Sequence, residues 1–93
     1  MYDRILAQMR RAIHTRQYIM TLHAEEEMDD DNLSIFDVER VILTGKIIER
    51  QKDKFTKECK YLIKGKTISD RLTVVVAKMS ITGKLVIITV YKI

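Results

Sequence analysis

The chain has no proline, a single cysteine, three glycines and no apolar run approaching the length of a membrane span. Each absence excludes something. Without proline, internal repeats or low-complexity segments there is no sign of a linker. Cys59 has no partner for an internal disulfide, and its strand-like surroundings read as a packed thiol, so an intracellular, cytoplasmic location is expected. A spanning helix needs about eighteen consecutive apolar residues, and nothing here comes near that. The opening stretch MYDRILAQMRRAIHTR scatters charge where a signal peptide has its apolar block. No membrane partner is therefore expected. The glycines, Gly45, Gly65 and Gly83, stand singly at turns, so no glycine-rich loop cradles a phosphate.

What is present is ordinary globular composition. The chain has 93 residues, 46% hydrophobic and 32% charged, enough for one domain over residues 1–93 and one core. Stability from so small a core is modest, which makes a homodimer an expected state. The net charge of +4 conceals a strong asymmetry. Residues 1–20 sum to +3, residues 21–45 to −7 and residues 46–93 to +8. A cationic C-terminal half points to nucleic acid or an acidic protein as partner, although solubility alone also accounts for charge.

Periodicity divides the chain near residue 45. Tyr2, Ile5, Leu6, Met9 and Ile13 form one apolar helical stripe, with Arg4, Arg10 and Arg11 off it. Tyr18-Ile19-Met20 reads as a short apolar link. Thr21 can cap a second helix whose acidic start, Glu25 to Glu27, suits the positive end of the helix dipole, and Asp29-Asp30-Asp31-Asn32 ends it as a polar turn. Ser34 and Asp37 have capping-box spacing, and Leu33 and Val38 that of a hydrophobic staple. A third helix is expected over 35–44, stopped by Gly45 in a left-handed conformation. From residue 46 the period becomes two. Strands are expected at 46–52, 58–66, 71–80 and 84–92, short connections favour an antiparallel meander, and the long apolar runs of the last two suit strands covered on both faces. The helical part spans about 2–45 and the sheet about 46–92. The expected fold is α+β, with helices packed on a four-stranded antiparallel sheet.

The acidic stretch TLHAEEEMDDDNLS places six carboxylates in seven positions after His23. It lacks the alternate oxygens and bend glycine of a calcium loop, and no two histidines share a helical face, so neither a metal nor any other cofactor is expected. His23 is the residue of interest there. It either orients the helix start by hydrogen bonding or serves as a general acid or base near neutral pH. In the cationic half, alternation puts Lys60, Lys64 and Lys66 on one sheet face, where they can meet phosphates. Tyr61 and Tyr91 are either half-buried core or stacking platforms for bases.

Several stretches taken together resemble a known family. They are Thr21-Leu22-His23-Ala24 with Met28, Leu33-Ser34 before Asp37-Val38, and Thr44-Gly45-Lys46-Ile47-Ile48-Glu49. Tyr61-Leu62-Ile63-Lys64-Gly65, Val74-Val75-Val76-Ala77 and Ile88-Thr89-Val90-Tyr91 complete the set. In this order they resemble domain of unknown function 4258, over about residues 5–92. That family is grouped with small RelE-like and BrnT-like prokaryotic toxins, which implies a RelE-like fold of helices followed by an antiparallel sheet. It further implies metal-independent RNA cleavage, generally on the ribosome, with a cognate antitoxin as partner. In that chemistry a base takes the ribose 2′-hydroxyl proton, an acid protonates the leaving oxygen, and cations stabilise the charge that develops at phosphorus. Carried onto this chain, His23 is the acid or base, Tyr91 a proton donor or stacking group, and Arg71 and Lys78 phosphate contacts, with Lys92 among the neighbouring cations. The sequence departs from the family pattern twice: Glu27 stands where an arginine is usual, and Thr73 where a histidine is common. Two readings of function follow, a toxin-like ribonuclease and a non-catalytic module that binds protein or nucleic acid.

Overall fold

The structure, a computed structural model, describes residues 2–93; Met1, at the start of the domain expected over 1–93, lies outside the described residues. The elements in chain order are α1 (Asp3–His14), β1 (Tyr18–Met20), α2 (Leu22–Asp30), α3 (Ile35–Thr44), β2 (Lys46–Lys52), β3 (Cys59–Lys66), β4 (Leu72–Met79) and β5 (Leu85–Lys92). The class is α+β, three helices form where they are expected, and α3 and the last four strands fall within a residue of their expected bounds. The sheet itself differs from expectation. It is five-stranded and mixed, in the order β1-β5-β4-β3-β2, not four-stranded and antiparallel. The segment read as a link, Tyr18-Ile19-Met20, is an edge strand parallel to β5, with Tyr18 opposite Leu85 and Met20 opposite Ile87. Three residues are too few to display a period of two. What makes them a strand is the open edge of β5, whose backbone groups need partners.

α2 and α3 each start on a local cap that the sequence carries, whereas α1 is held by its apolar stripe and by one long-range contact. In α1, Met9, Ala12 and Ile13 are buried and Ile5 packs beside them. Arg10, off that stripe, donates from Nε and Nη2 to the carbonyl oxygens of Ile42 and Gly45 at 3.1 and 2.9 Å. A guanidinium there satisfies orphan carbonyls at the negative end of α3. Thr21 both ends β1 and starts α2, since its Oγ1 donates to the Ile88 carbonyl oxygen at 2.9 Å and accepts from the Ala24 N–H at 3.1 Å. At α3 the capping box between Ser34 and Asp37 is complete. The second oxygen of Asp37 accepts from the Ile68 N–H at 3.1 Å, tying the helix start to the β3–β4 turn. Burial raises the Asp37 carboxyl, but the hydrogen bonds from Ser34 and Ile68 outweigh it and hold the group below its ordinary range.

Gly45 does end α3, though not in the left-handed conformation. Its backbone is extended, at φ −86° and ψ −169°. Glycine is required for space instead. A Cβ at Gly45 would lie 2.5 Å from the Lys64 carbonyl oxygen and closer still to that of Val41, and one at Gly65 would stand 3.0 Å from the Gly45 Cα. The two glycines therefore let the end of α3 rest directly on β3.

All three helices contribute to one core cluster with one face of the sheet, including Met9, Met28, Val38, Val41 and Ile42 against Ile63, Val75, Ala77, Leu85, Ile87 and Val90. The opposite face carries no helix among the described residues. Cover on both faces of β4 and β5, expected from their apolar runs, is thus absent among the described residues. Val74 and Val76 point to the bare face yet are only 2% and 7% exposed. Their cross-strand neighbours flank them, Lys64 and Tyr91 beside Val74, Leu62 and Thr89 beside Val76. Long neighbours do the work of a second layer.

Tyr18 links β1 to α3, donating to Glu39 Oε2 at 2.7 Å. Burial, and then the Glu39 carboxylate, push its phenol from 10.0 up to about 12. The un-ionised phenol is favoured in the fold, so this stability is complete below pH 10 and is lost as pH rises toward about 12. Ultraviolet titration should show one of the four tyrosines ionising last, and Tyr18→Phe should abolish that step. Gly45→Ala should cost about 3 kcal/mol through overpacking, read as a lower urea midpoint; an unchanged midpoint would show that α3 can lift from β3 without penalty.

Candidate functional site

Alternation along the strands decides which nominated residues share the bare sheet face. Ile63 of β3 is buried in the core, so Lys60 and Lys64 project from the other side, both exposed. On β4, Ala77 is buried and Lys78 projects with them; on β5, Tyr91 stands beside Val74 and is 37% exposed. Lys46 of β2, opposite Lys64, extends the set to the sheet edge. Glu49, opposite Leu62, is a carboxylate of this face and accepts from Gln51 Nε2. The face is an apolar floor of Leu62, Val74 and Val76 set among cations.

Pairing separates those cations into two kinds. Lys78 Nζ lies 2.9 Å from Glu58, Lys66 Nζ 3.7 Å from Asp70, and Lys92 Nζ 3.8 Å from Asp31. Arg71, in the β3–β4 turn, lies near enough to Asp37 to help hold that carboxyl ionised. Among the described residues Lys60 and Lys64 form no such ion pair. Arg71 precedes β4 and Lys78 lies near its far end, which separates their backbones by about 20 Å at the usual rise of an extended strand. The structure thus brings Lys60, Lys64 and Tyr91 to one face. It does not bring Arg71 and Lys78 to one phosphate, and Lys92 faces the helical side beside α2.

His23 sits apart from this face, on α2 at the margin of the sheet. Its side chain is 65% exposed, and Nε2 lies 3.4 Å from Glu27 Oε1. The same Glu27 oxygen accepts the Val90 N–H at 3.1 Å. Beyond the end of β1 the edge of β5 has no strand partner, and Glu27 takes up a backbone donor there. The Glu27 carboxylate therefore has a structural role in this chain. Thr73 is buried in β4, and its hydroxyl donates to the Arg71 carbonyl oxygen at 3.3 Å. Glu25, Glu26, Asp29 and Asp30 face solvent along α2. No group of three or more His, Cys, Asp and Glu is placed to hold a metal among the described residues.

Lys52, Lys54, Lys57, Lys60 and Lys84, which form no ion pair among the described residues, lie at the end of the bare face where the β2–β3 and β4–β5 connections emerge. A cavity of about 440 Å³ opens there, between Lys52, Lys60, Lys78, Glu58 and Ile88. The β2–β3 connection is built on Asp53. Its carboxylate accepts the Phe55 and Thr56 N–H groups at 2.8 and 2.9 Å, and its backbone pairs with Glu58 and Lys57. Hydrogen bonds from Thr56 and Phe55 hold the Asp53 carboxyl below its ordinary range. Phe55, 94% exposed, stands at the tip between Lys54 and Lys57. The sequence reading passed over this residue, although an aromatic inside KDKFTK is a visible signal. Replacing Glu27 with Ala should speed hydrogen exchange at the Val90 amide and cost about 1 kcal/mol, while an unchanged exchange rate would show that water serves that donor equally well.

No helix among the described residues is long and apolar enough to cross a membrane. A search of the curated proteins and one of the solved structures each found no match. The model of one family, described as Domain of unknown function (DUF4258), matches residues 20–92. That span starts at the last residue of β1 and includes α2, α3, the four-stranded meander and every nominated site residue, and the chain belongs to this family.

Proposed function

We propose that the protein is an RNA-binding module that engages its target on the sheet face the helices leave bare. The observation that carries this reading is the placement of Lys60, Lys64 and Tyr91 on that face, with both lysines unpaired among the described residues. Cations about 13 Å apart along one strand meet separate phosphates of a flexible polymer, and an aromatic on the same face offers a base a stacking surface. Lys66 and Lys78, each held by a carboxylate, become available only by exchanging that partner for a phosphate.

A finer reading, a toxin-like ribonuclease, is favoured by the His23–Glu27 contact, since a carboxylate beside an exposed imidazole restrains the orientation an acid–base group requires. In that case His23 takes or gives a proton at the scissile linkage while the cationic face holds the strand. The two readings part in one set of experiments. Fluorescence anisotropy with a labelled single-stranded RNA should show binding that weakens steeply with salt. The Lys60→Ala/Lys64→Ala pair should flatten the slope of log K against log salt by about 1.4, at about 0.7 per phosphate contact. A slope unchanged by the pair would remove the bare face from the reading. Incubating labelled mRNA with the protein, with and without ribosomes, and repeating with His23→Ala, reports on cleavage; intact RNA throughout leaves binding alone.

A further inference from the structure

The β2–β3 connection shows a feature that a purely electrostatic face does not need. Phe55 is 94% exposed at the tip of a turn that is internally braced. Asp53 accepts the Phe55 and Thr56 N–H groups, the Asp53 N–H donates to the Glu58 carbonyl oxygen at 2.8 Å, and the Lys57 N–H donates to that of Asp53 at 3.0 Å. Lys57 takes φ 65°, closing the turn so that the chain re-enters the sheet at Cys59. The turn that carries the exposed ring is therefore held by its own hydrogen bonds.

Its surroundings are selective. Lys54 and Lys57 flank it in sequence, Lys52 ends the strand before it, and Lys60 and Lys64 continue from the strand after it on the bare face. The register of β3 against β4, Tyr61 opposite Ala77, brings this turn and the β4–β5 turn out of the same end of the sheet, and the β4–β5 turn carries Lys84. Of the loop's two carboxylates, Glu58 is engaged by Lys78, and Asp53 accepts from its own turn while Lys60 lies near enough to help hold it ionised. An aromatic ring free on both faces, with unpaired cations at one and two residues from it, matches an anionic polymer whose bases are unstacked.

We infer that Phe55 is a base-stacking residue, and that the ligand of the bare face is single-stranded RNA running from the β2–β3 turn along β3 past Lys60 and Lys64. This rests on the RNA-binding reading and narrows it. A duplex presents its bases already stacked and offers the ring nothing, whereas an unpaired base gives it a π-face. Phe55 thus sets the preference for unpaired RNA, and the lysines supply affinity that does not depend on sequence.

The test compares the full chain and Phe55→Ala on a single-stranded RNA and on a duplex of the same length, by anisotropy at fixed salt. Phe55→Ala should weaken single-strand binding about tenfold and leave duplex binding unchanged, and Phe55→Trp should restore it. A single strand carrying 2-aminopurine should show fluorescence quenching with the wild-type protein and none with Phe55→Ala. The ring contacts no core residue, so circular dichroism of Phe55→Ala should match wild type. Equal weakening on both RNAs, or no weakening on either, would overturn the stacking role while the RNA-binding reading stood. No binding of either RNA by the wild-type protein would remove both. Phe55-dependent binding to anionic phosphatidylserine vesicles without any effect on RNA would overturn the proposal in favour of a membrane-surface contact.

Discussion

The contact between Gly45 and Gly65 sets the geometry on which the other features depend. Where α3 ends, the chain passes so near β3 that neither position has room for a side chain. That closeness fixes the height of α3 above the sheet, and Arg10 then fastens α1 to the same helix end through the Ile42 and Gly45 carbonyls. From there the chain enters β2 directly, with Lys46 already paired opposite Lys64. Helix layer and meander are joined at this point, and every helix is committed to one side. The bare face follows from that commitment.

Much of this was legible in the sequence because the relevant devices are local. The capping box at Ser34 and Asp37, the staple of Leu33 and Val38, and the alternation of Cys59, Tyr61 and Ile63 against Lys60 and Lys64 each occupy a few adjacent residues. Each also means the same thing in any fold. What escaped was decided at long range. Tyr18-Ile19-Met20 becomes a strand because β5, some 65 residues later, has an edge to fill. Gly45 invites a left-handed reading from its place after a helix, yet its requirement comes from Lys64 and Gly65 across the layer. The apolar runs of β4 and β5 suggested two covered faces, but Val74 and Val76 are shielded by neighbours on paired strands, which no run in one strand can reveal.

The candidate site divides in the same way. Spacing sufficed to put Lys60 and Lys64 together, but not to say which cations already hold a carboxylate. Lys66, Lys78 and Lys92 each do, through Asp70, Glu58 and Asp31. Of these pairs Lys92–Asp31 joins the acidic segment to the basic one, while the other two lie within the basic half, and several of the cations that remain unpaired gather toward one end of the sheet. Glu27, one carboxylate of the acidic stretch, likewise gains its task at long range, since it closes a backbone donor on β5.

The two sheet margins are treated differently. Beside β5 the short strand β1 and then α2 leave little backbone open, whereas the outer margin of β2 has no partner among the described residues. An irregularity between Ile47 and Glu49 bends that margin, and Lys46, Glu49, Arg50 and Lys52 punctuate it. Were two copies to continue their sheets through it in antiparallel fashion about Glu49, Glu49 would oppose Glu49 and Lys46 would oppose Lys52. Like charges directly opposite oppose such pairing, and the bulge interrupts its ladder. In that register the sequence KIIERQK sets like charges and a bulge against edge-to-edge pairing, while the broad cationic face beside it stays open.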